Sequence, residues 1–512
     1  MTDVNEGVST PHDDEEPKQN PEKNKKGLKI RLALFFDGTL NNRNNINVRE
    51  LAGDTHDTQG GVHLPPNTEK RFKIVDGKVK ELLSYPKAYE KFRDPSGPNS
   101  YDNGRTNVNL MEAQVPNRAD GYDHYIKLYV EGQGTFDDKK DSLAGYSMGG
   151  LSSGVPARAK LGIIRARDLI HDRLTEAEQL PADYFIEKLT VDVFGFSRGA
   201  ATARQSIHQM LKSTIQPMYK RLRGLGYHDT AKSAVKVCVA GLYDTVLSFW
   251  LGQYLHTEWL LDMQAVTEAE HVLHLAAADE HRRDFPVTNI DSAKTKNGEE
   301  YFLPGVHSDV GGSYNMALDL EKQKDLPEEN KEYMRTTAER DRIINRGHPN
   351  ILEQDRANLI AQGWYGEHEI KVNPILHGAP GVRGQPPTQP LAELVVNRSG
   401  IRSAYSNIPL KIMAEFAQKH GVNFLPKLTK IADRILQDEK DLLALEEKIR
   451  AYINPARGKA TDPAGRSKPE DWLNDDSIKP IRHRHFNFSS KVGAGYSPRI
   501  VNGIRTRYIV HA

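Results

Sequence analysis

Gly195-Phe196-Ser197-Arg198-Gly199 places a serine between two glycines, where the apolar run VDVFGF gives way to the small-residue run GAATAR. A serine hydroxyl is a weak nucleophile until a base takes its proton and a third group orients that base. In the G-x-S-x-G arrangement the serine stands on a sharp strand-to-helix turn, and Gly195 and Gly199 leave room for the chain folding back beside it. Asp244 and His307 supply the remaining types in the order hydrolases of this kind use. Asp244 closes the apolar run VCVAGLYDTV, and His307 follows another in YFLPGVHSDVGG. The trio implies acyl transfer: serine attacks a carbonyl, histidine carries the proton and aspartate fixes the imidazole. The tetrahedral anion is met by N–H dipoles already in place, so no metal or organic cofactor is called for. Arg198, directly after the serine, offers one backbone amide. Gly38 or Thr39, in the loop after LALFF, offers the other.

The chain carries rivals for each role. GYSMG at 145–149 repeats the pattern, but polar residues separate Ser147 from the preceding apolar run, and GLSSGVP follows instead of a helix start. Ser147 therefore reads as part of a glycine-rich loop. His271, His274 and His281 fall in EAEHVLHLAAADEHRRDF, which reads as an amphipathic helix with packed or surface histidines. Asp309 and Asp284 are alternative acids, and the closeness of Asp309 to His307 suits loop hydrogen bonding better. FFDGTL resembles the D-x-D-G-T motif of haloacid-dehalogenase-type phosphatases, yet the nucleophilic aspartate would fall at Phe35, which cannot attack phosphorus. Asp37 reads instead as a hydrogen-bonding anchor for its loop. The single cysteine, Cys238, lies in the apolar run VKVCVAG and reads as a core residue.

Elements of matching character position these residues. The runs at 28–36, 125–132, 189–196, 234–244 and 301–307 are β-rich, and helical patterns cover 157–173, 198–213 and 266–283. Alternation of this kind predicts an α/β fold, a mainly parallel sheet flanked by helices in the manner of α/β-hydrolases. The first 27 residues are polar and charged, the composition of a disordered tail. Residues 28–315 read as the catalytic domain. From 316 to 480 charged helical patterns dominate, including ALDLEKQKDLPEENKEYMRTTAERDRIINR and ADRILQDEKDLLALEEKIRAYI, with a Pro/Gly-rich connector at 374–390. Residues 481–512 read as a segment returning to the core.

With 70 Lys and Arg against 69 Asp and Glu, the chain has a net charge of +1 and no basic face stands out, which argues against nucleic acid as a partner. No apolar run reaches the length of a membrane span, and the amino-terminal stretch lacks a signal peptide's apolar core, so synthesis in the cytoplasm is expected.

LALFFDGTLNN, YVEGQGT, VFGFSRGAATAR, GLYDTV, VLHLAAADEHRRDFPV and LPGVHSDVGGSY occur in the order found in the first class of type VI secretion lipase effectors, which the chain resembles over about residues 30–315. The stretch RHFNFSSKVGAGYSPRIVNGIRTRYI resembles that family's carboxyl terminus. The resemblance implies Ser197 as nucleophile, Asp244 as acid and His307 as base of a phospholipase A acting on membrane phospholipids. It implies an antibacterial effector that leaves the producer on a secretion spike protein, acts in the periplasm of the target cell and is countered by a cognate immunity protein. The apolar stretch after Asp244, with Phe249, Trp250, Tyr254 and Trp259, is a candidate lid or lipid contact, its plain alternative being a core helix. A soluble-substrate esterase and a non-catalytic module binding a secretion partner are the competing functions.

Overall fold

The computed structural model describes residues 25–53, 67, 69–75, 78–94, 99–142, 154–214, 216–247, 261–315, 336–375, 391–459, 465–493 and 495–512. Its centre is a six-stranded sheet of β1 (Lys26–Phe36), β2 (His124–Val130), β3 (Tyr184–Phe196), β4 (Val235–Tyr243), β5 (Ala269–Ala277) and β6 (Gly298–Leu303), in the order β6-β5-β4-β3-β1-β2. Every neighbouring pair is parallel. Strands of such a sheet are buried on both faces and need no polar alternation. In β1, Ile30, Leu32, Leu34 and Phe36 join one apolar cluster, whereas Ala33 and Phe35 join another.

The first cluster lies under α1 (Val155–Glu176) and α2 (Arg198–Ile207), which turn Ile163, Ile170, Ala200, Ala203 and Ile207 inward. The opposite face is covered from far along the chain. There α5 (Asn407–Lys419) buries Ile408, Met413, Ala414 and Ala417 in the cluster that holds Phe35, Phe194 and Leu273.

Two stretches read as helical are strands. Residues 269–277 form β5, an interior strand of the parallel sheet next to its edge strand β6, because AEHVLHLAA is buried on both faces from Val272 onward. Of the histidines that suggested a helix's polar stripe, His274 is buried in the sheet and hydrogen-bonded to Thr245 and Glu300, His271 is half-buried, and His281 lies past the strand. The charged run through 346 ends in β7 (Thr336–Gly347), part of a three-stranded antiparallel sheet with β8 (Ile370–Pro374) and β9 (Ala392–Arg402), in the order β7-β9-β8. That sheet packs with α4 (Pro349–Ala361), and the helices α6 (Lys427–Gln437) and α7 (Lys440–Tyr452) follow α5. After α8 (Lys479–His485) the chain returns to the large sheet's rim, where Ile509–Val510 pairs in parallel with Val287–Thr288.

Candidate active site

Ser197 stands where β3 ends and α2 begins, at φ +59° and ψ −128°, a conformation costly for a residue with a side chain. Close packing maintains it. A Cβ on Gly195 would lie 2.4 Å from the Gly199 carbonyl oxygen, and one on Gly199 would lie 2.2 Å from the Phe36 carbonyl oxygen. Both glycines are therefore required by approach of backbone to backbone. The Ser197 N–H donates to the Tyr243 carbonyl at 3.0 Å and its carbonyl accepts from Val246 at 3.3 Å. The serine is thus tied to the residues on either side of Asp244.

Asp244, at the exit of β4, is fully buried and has φ +40°. Its carboxylate accepts the Ala277 N–H at 2.9 Å and faces Nδ1 of His307 at 2.5 Å. His307 opens the short helix α3 (His307–Gly311), with its ring against Phe196 at 4.5 Å between centroids and Phe285 at 5.3 Å. A carboxylate on Nδ1 places the proton there and leaves Nε2 as acceptor. Burial is the largest influence on both groups. It drives the His307 pKa below its usual value against the pull of Asp244. At Asp244 burial is outweighed by Arg507 and then His307, so the carboxyl sits below the ordinary range.

The two backbone amides of the loop after β1 are in different situations. The Gly38 N–H donates to the Asp37 carboxylate at 2.8 Å, whereas the Thr39 N–H donates to nothing among the described residues. Asp37 also accepts from Tyr129 at 2.6 Å and Thr106 at 2.8 Å, the anchoring expected of it. Burial raises its pKa to about 6 against those three hydrogen bonds. The Arg198 Nε donates to the Thr39 hydroxyl at 2.5 Å, tying the start of α2 to this loop.

The rivals have other occupations. His274 is buried, accepting the Thr245 N–H at 3.0 Å on Nε2 and facing Glu300 at 2.8 Å on Nδ1. His271 stacks on His420 at 3.6 Å, and His281 packs near Trp364 and Phe488. Asp309 accepts from Val306 and from the main chain and side chain of Asn487, and Asp284 pairs with Arg283. Cys238 is half-buried with its thiol directed at the His420 carbonyl at 3.6 Å, and burial raises its pKa to about 11, unsuited to nucleophilic work. Ser147, Phe249, Trp250, Tyr254 and Trp259 lie outside the described residues.

Two residues with a bearing on the site carry no sequence signature. Arg507 donates through one nitrogen to both Asp244 oxygens, at 2.9 and 3.0 Å. Glu280, just past β5, accepts the His307 N–H at 3.3 Å and pairs with Arg282 at 2.9 Å. Reading 266–283 as a helix hides Glu280, whereas a strand ending at Ala277 puts it in a loop at the sheet's ligand-binding edge. Away from this site, Glu439, Asp441 and His485 have the mutual spacing of a cation site, but Arg402 and Arg484 already neutralise the carboxylates.

Residues 216–330 match the family model "T6SS, Phospholipase effector Tle1-like, catalytic domain". Over that span the chain is similar to the catalytic domain of Tle1-like phospholipase effectors. The matched span holds Asp244 and His307, and Ser197 lies just upstream of it. The fold agrees with "Structure of the Tle1 effector bound to the VgrG spike from the Type 6 secretion system", at 18% identity and TM-score 0.54 over 95% of this chain and 94% of that one. An uncharacterized protein from Pseudomonas aeruginosa overlaps at 14% identity, 86% and 65% coverage and TM-score 0.32, too low to support an argument. No curated protein matches the chain.

Proposed function

We propose that the Tle1-like domain is a serine hydrolase of phospholipase A type, cleaving acyl esters of membrane phospholipids. The observation that carries this reading is the junction of a strained Ser197 with a buried Asp244–His307 pair at one edge of the parallel sheet. His307 Nε2 takes the Ser197 proton as Oγ attacks the ester carbonyl. The Arg198 and Thr39 amides receive the oxyanion, with Gly38 held back by Asp37. His307 then returns the proton to the departing lysophospholipid oxygen, leaving an acyl-enzyme. Water, deprotonated by the same imidazole, releases the fatty acid and free serine.

The neighbour bound to a VgrG spike supports a similar route for this chain. Carried on a secretion spike, it would reach the periplasm of a target bacterium and act there as an antibacterial toxin, with an immunity protein protecting the producer. A fluorophosphonate probe should label the native protein and fail on Ser197→Ala, while phospholipid vesicles yield fatty acid and lysophospholipid. Labelling with hydrolysis of soluble esters alone would make the enzyme a soluble-substrate esterase. An unlabelled native protein would leave a non-catalytic module.

A further inference from the structure

The guanidinium of Arg507 has no exposed side-chain surface. Its Nε and Nη1 are buried without hydrogen-bond partners, so among the described residues its hydrogen bonds go to Asp244 alone. Buried arginine is retained where its charge is used, and here that charge meets the carboxylate that orients His307. The flanking chain is firmly held. Arg505 forms a buried bidentate pair with Asp355 of α4 at 2.9 and 2.7 Å, and Val287 donates to the Tyr508 carbonyl at 2.9 Å. Asn289 donates to the Val510 carbonyl at 3.0 Å. The segment Arg505–Val510 is therefore a strap running from α4 to the rim of the parallel sheet.

We propose that this strap is a positioning element for catalysis: Arg507 pins both oxygens of Asp244, and so fixes the imidazole of His307 and the charge of the Asp244–His307 pair. The inference rests on the serine-hydrolase reading above. Two ion pairs flank His307: Arg507 with Asp244, which faces its Nδ1, and Arg282 with Glu280, which accepts its backbone N–H. The titratable or charged groups bearing on the pair are therefore Arg507 from the strap, with Glu280 and Arg282 from the loop after β5. Tyr314, past α3, bears in turn on Glu280 and Arg282. With Arg507 present, the deprotonated pair and the arginine sum to zero charge; without it, deprotonation leaves an uncompensated buried anion. Removing Arg507 must therefore make the pair hold its proton to higher pH. Removing the Glu280 charge must do the reverse.

The test is the acid limb of kcat against pH on a short soluble ester, with melting temperature recorded for each variant. Arg507→Met should move the limb upward by about one pH unit and lower kcat more than it changes KM. Glu280→Gln should move the limb downward. Arg507→Lys should keep the limb near the native position while losing kcat, because an ammonium restores charge without the planar contact. If Arg507→Met does not fold, the downward limb of Glu280→Gln and the loss of kcat at an unmoved limb in Arg507→Lys carry the test. A folded set whose limbs coincide with the native one, in an enzyme that labels with fluorophosphonate, would overturn the strap's role. Failure of the native protein to label would instead remove the serine-hydrolase reading beneath it.

Discussion

Ser197 has the strained backbone of a nucleophile elbow and is tied to the turn that bears Asp244; under the proposed mechanism, Ser197→Ala should leave the fold intact and reduce hydrolysis by on the order of 10⁴-fold or more. Ser147→Ala, measured beside it on the same ester, should retain most activity. Reversed results would place the nucleophile at Ser147. Asp244→Asn should approach Ser197→Ala in severity. An amide there presents an N–H to Nδ1 and stabilises the tautomer that cannot accept the serine proton. It also leaves Arg507 facing a neutral group in a dry site. Activity near the native rate in Asp244→Asn would exclude the orienting role. Residue types and order named these three, and the structure brings Asp244 against His307 and ties the Ser197 backbone to the turn that bears Asp244. Arg507 was not legible in the same way: nothing in GIRTRYIV separates a buried arginine from a solvent-exposed one.

At the scale of elements, the parallel sheet was legible wherever strands were continuous apolar runs, as in β1, β3 and β4. It failed at β5, where His271 and His274 in AEHVLHLAA imitate the polar stripe of a helix. Only the tertiary partners Glu300 and Thr245 make a buried histidine acceptable in the middle of a sheet. The antiparallel sheet of β7, β8 and β9 was missed for a related reason. Its charged residues are satisfied across strands and modules, Arg398 for instance donating to the carbonyls of Trp364 and Phe486 at 2.8 Å. Backbone approach at the end of β2 yields a further expectation. A Cβ on Gly132 would lie 1.7 Å from the Gly38 carbonyl oxygen, so Gly132→Ala must displace the loop bearing Thr39. No functional group is removed, yet displacement of about 1 Å in a catalytic loop costs roughly 100-fold in rate. Gly132→Ala should therefore lose about that factor in kcat. Unchanged turnover would take the Gly38-Thr39 loop out of the oxyanion site.

Across the whole molecule, the edge of the large sheet that bears the candidate site is joined to the region from 336 onward through buried polar residues, and one of them titrates. His281 follows Glu280 and packs edge-on to Trp364 and Phe488, at 6.3 and 6.4 Å between centroids. Burial, reinforced by Arg505 and Arg482 and opposed by Asp279 and Glu280, lowers its pKa to about 4. In the unfolded chain a histidine titrates near 6.5. The folded value lies below the unfolded one, so the associated stability is complete above pH 6.5 and is lost as pH falls toward 4. Between pH 7.5 and 5 the loss from this residue is roughly 2 kcal/mol. Other buried groups add to the acid sensitivity, His307 and His485 among them, because both are held below their usual values by burial. The contribution of His281 is isolated by His281→Phe, which keeps an aromatic ring between Trp364 and Phe488 and removes the titration. Melting temperatures at pH 7.5 and pH 5 should show a clear fall for the native protein and a smaller fall for the variant. Where the variant is somewhat less stable at pH 7.5 because the phenyl ring packs less well, the difference between the two pH values still reads the titration alone. An equal fall in both proteins would mean that the junction between the modules does not sense the charge on His281, and that acid sensitivity arises at the other buried histidines.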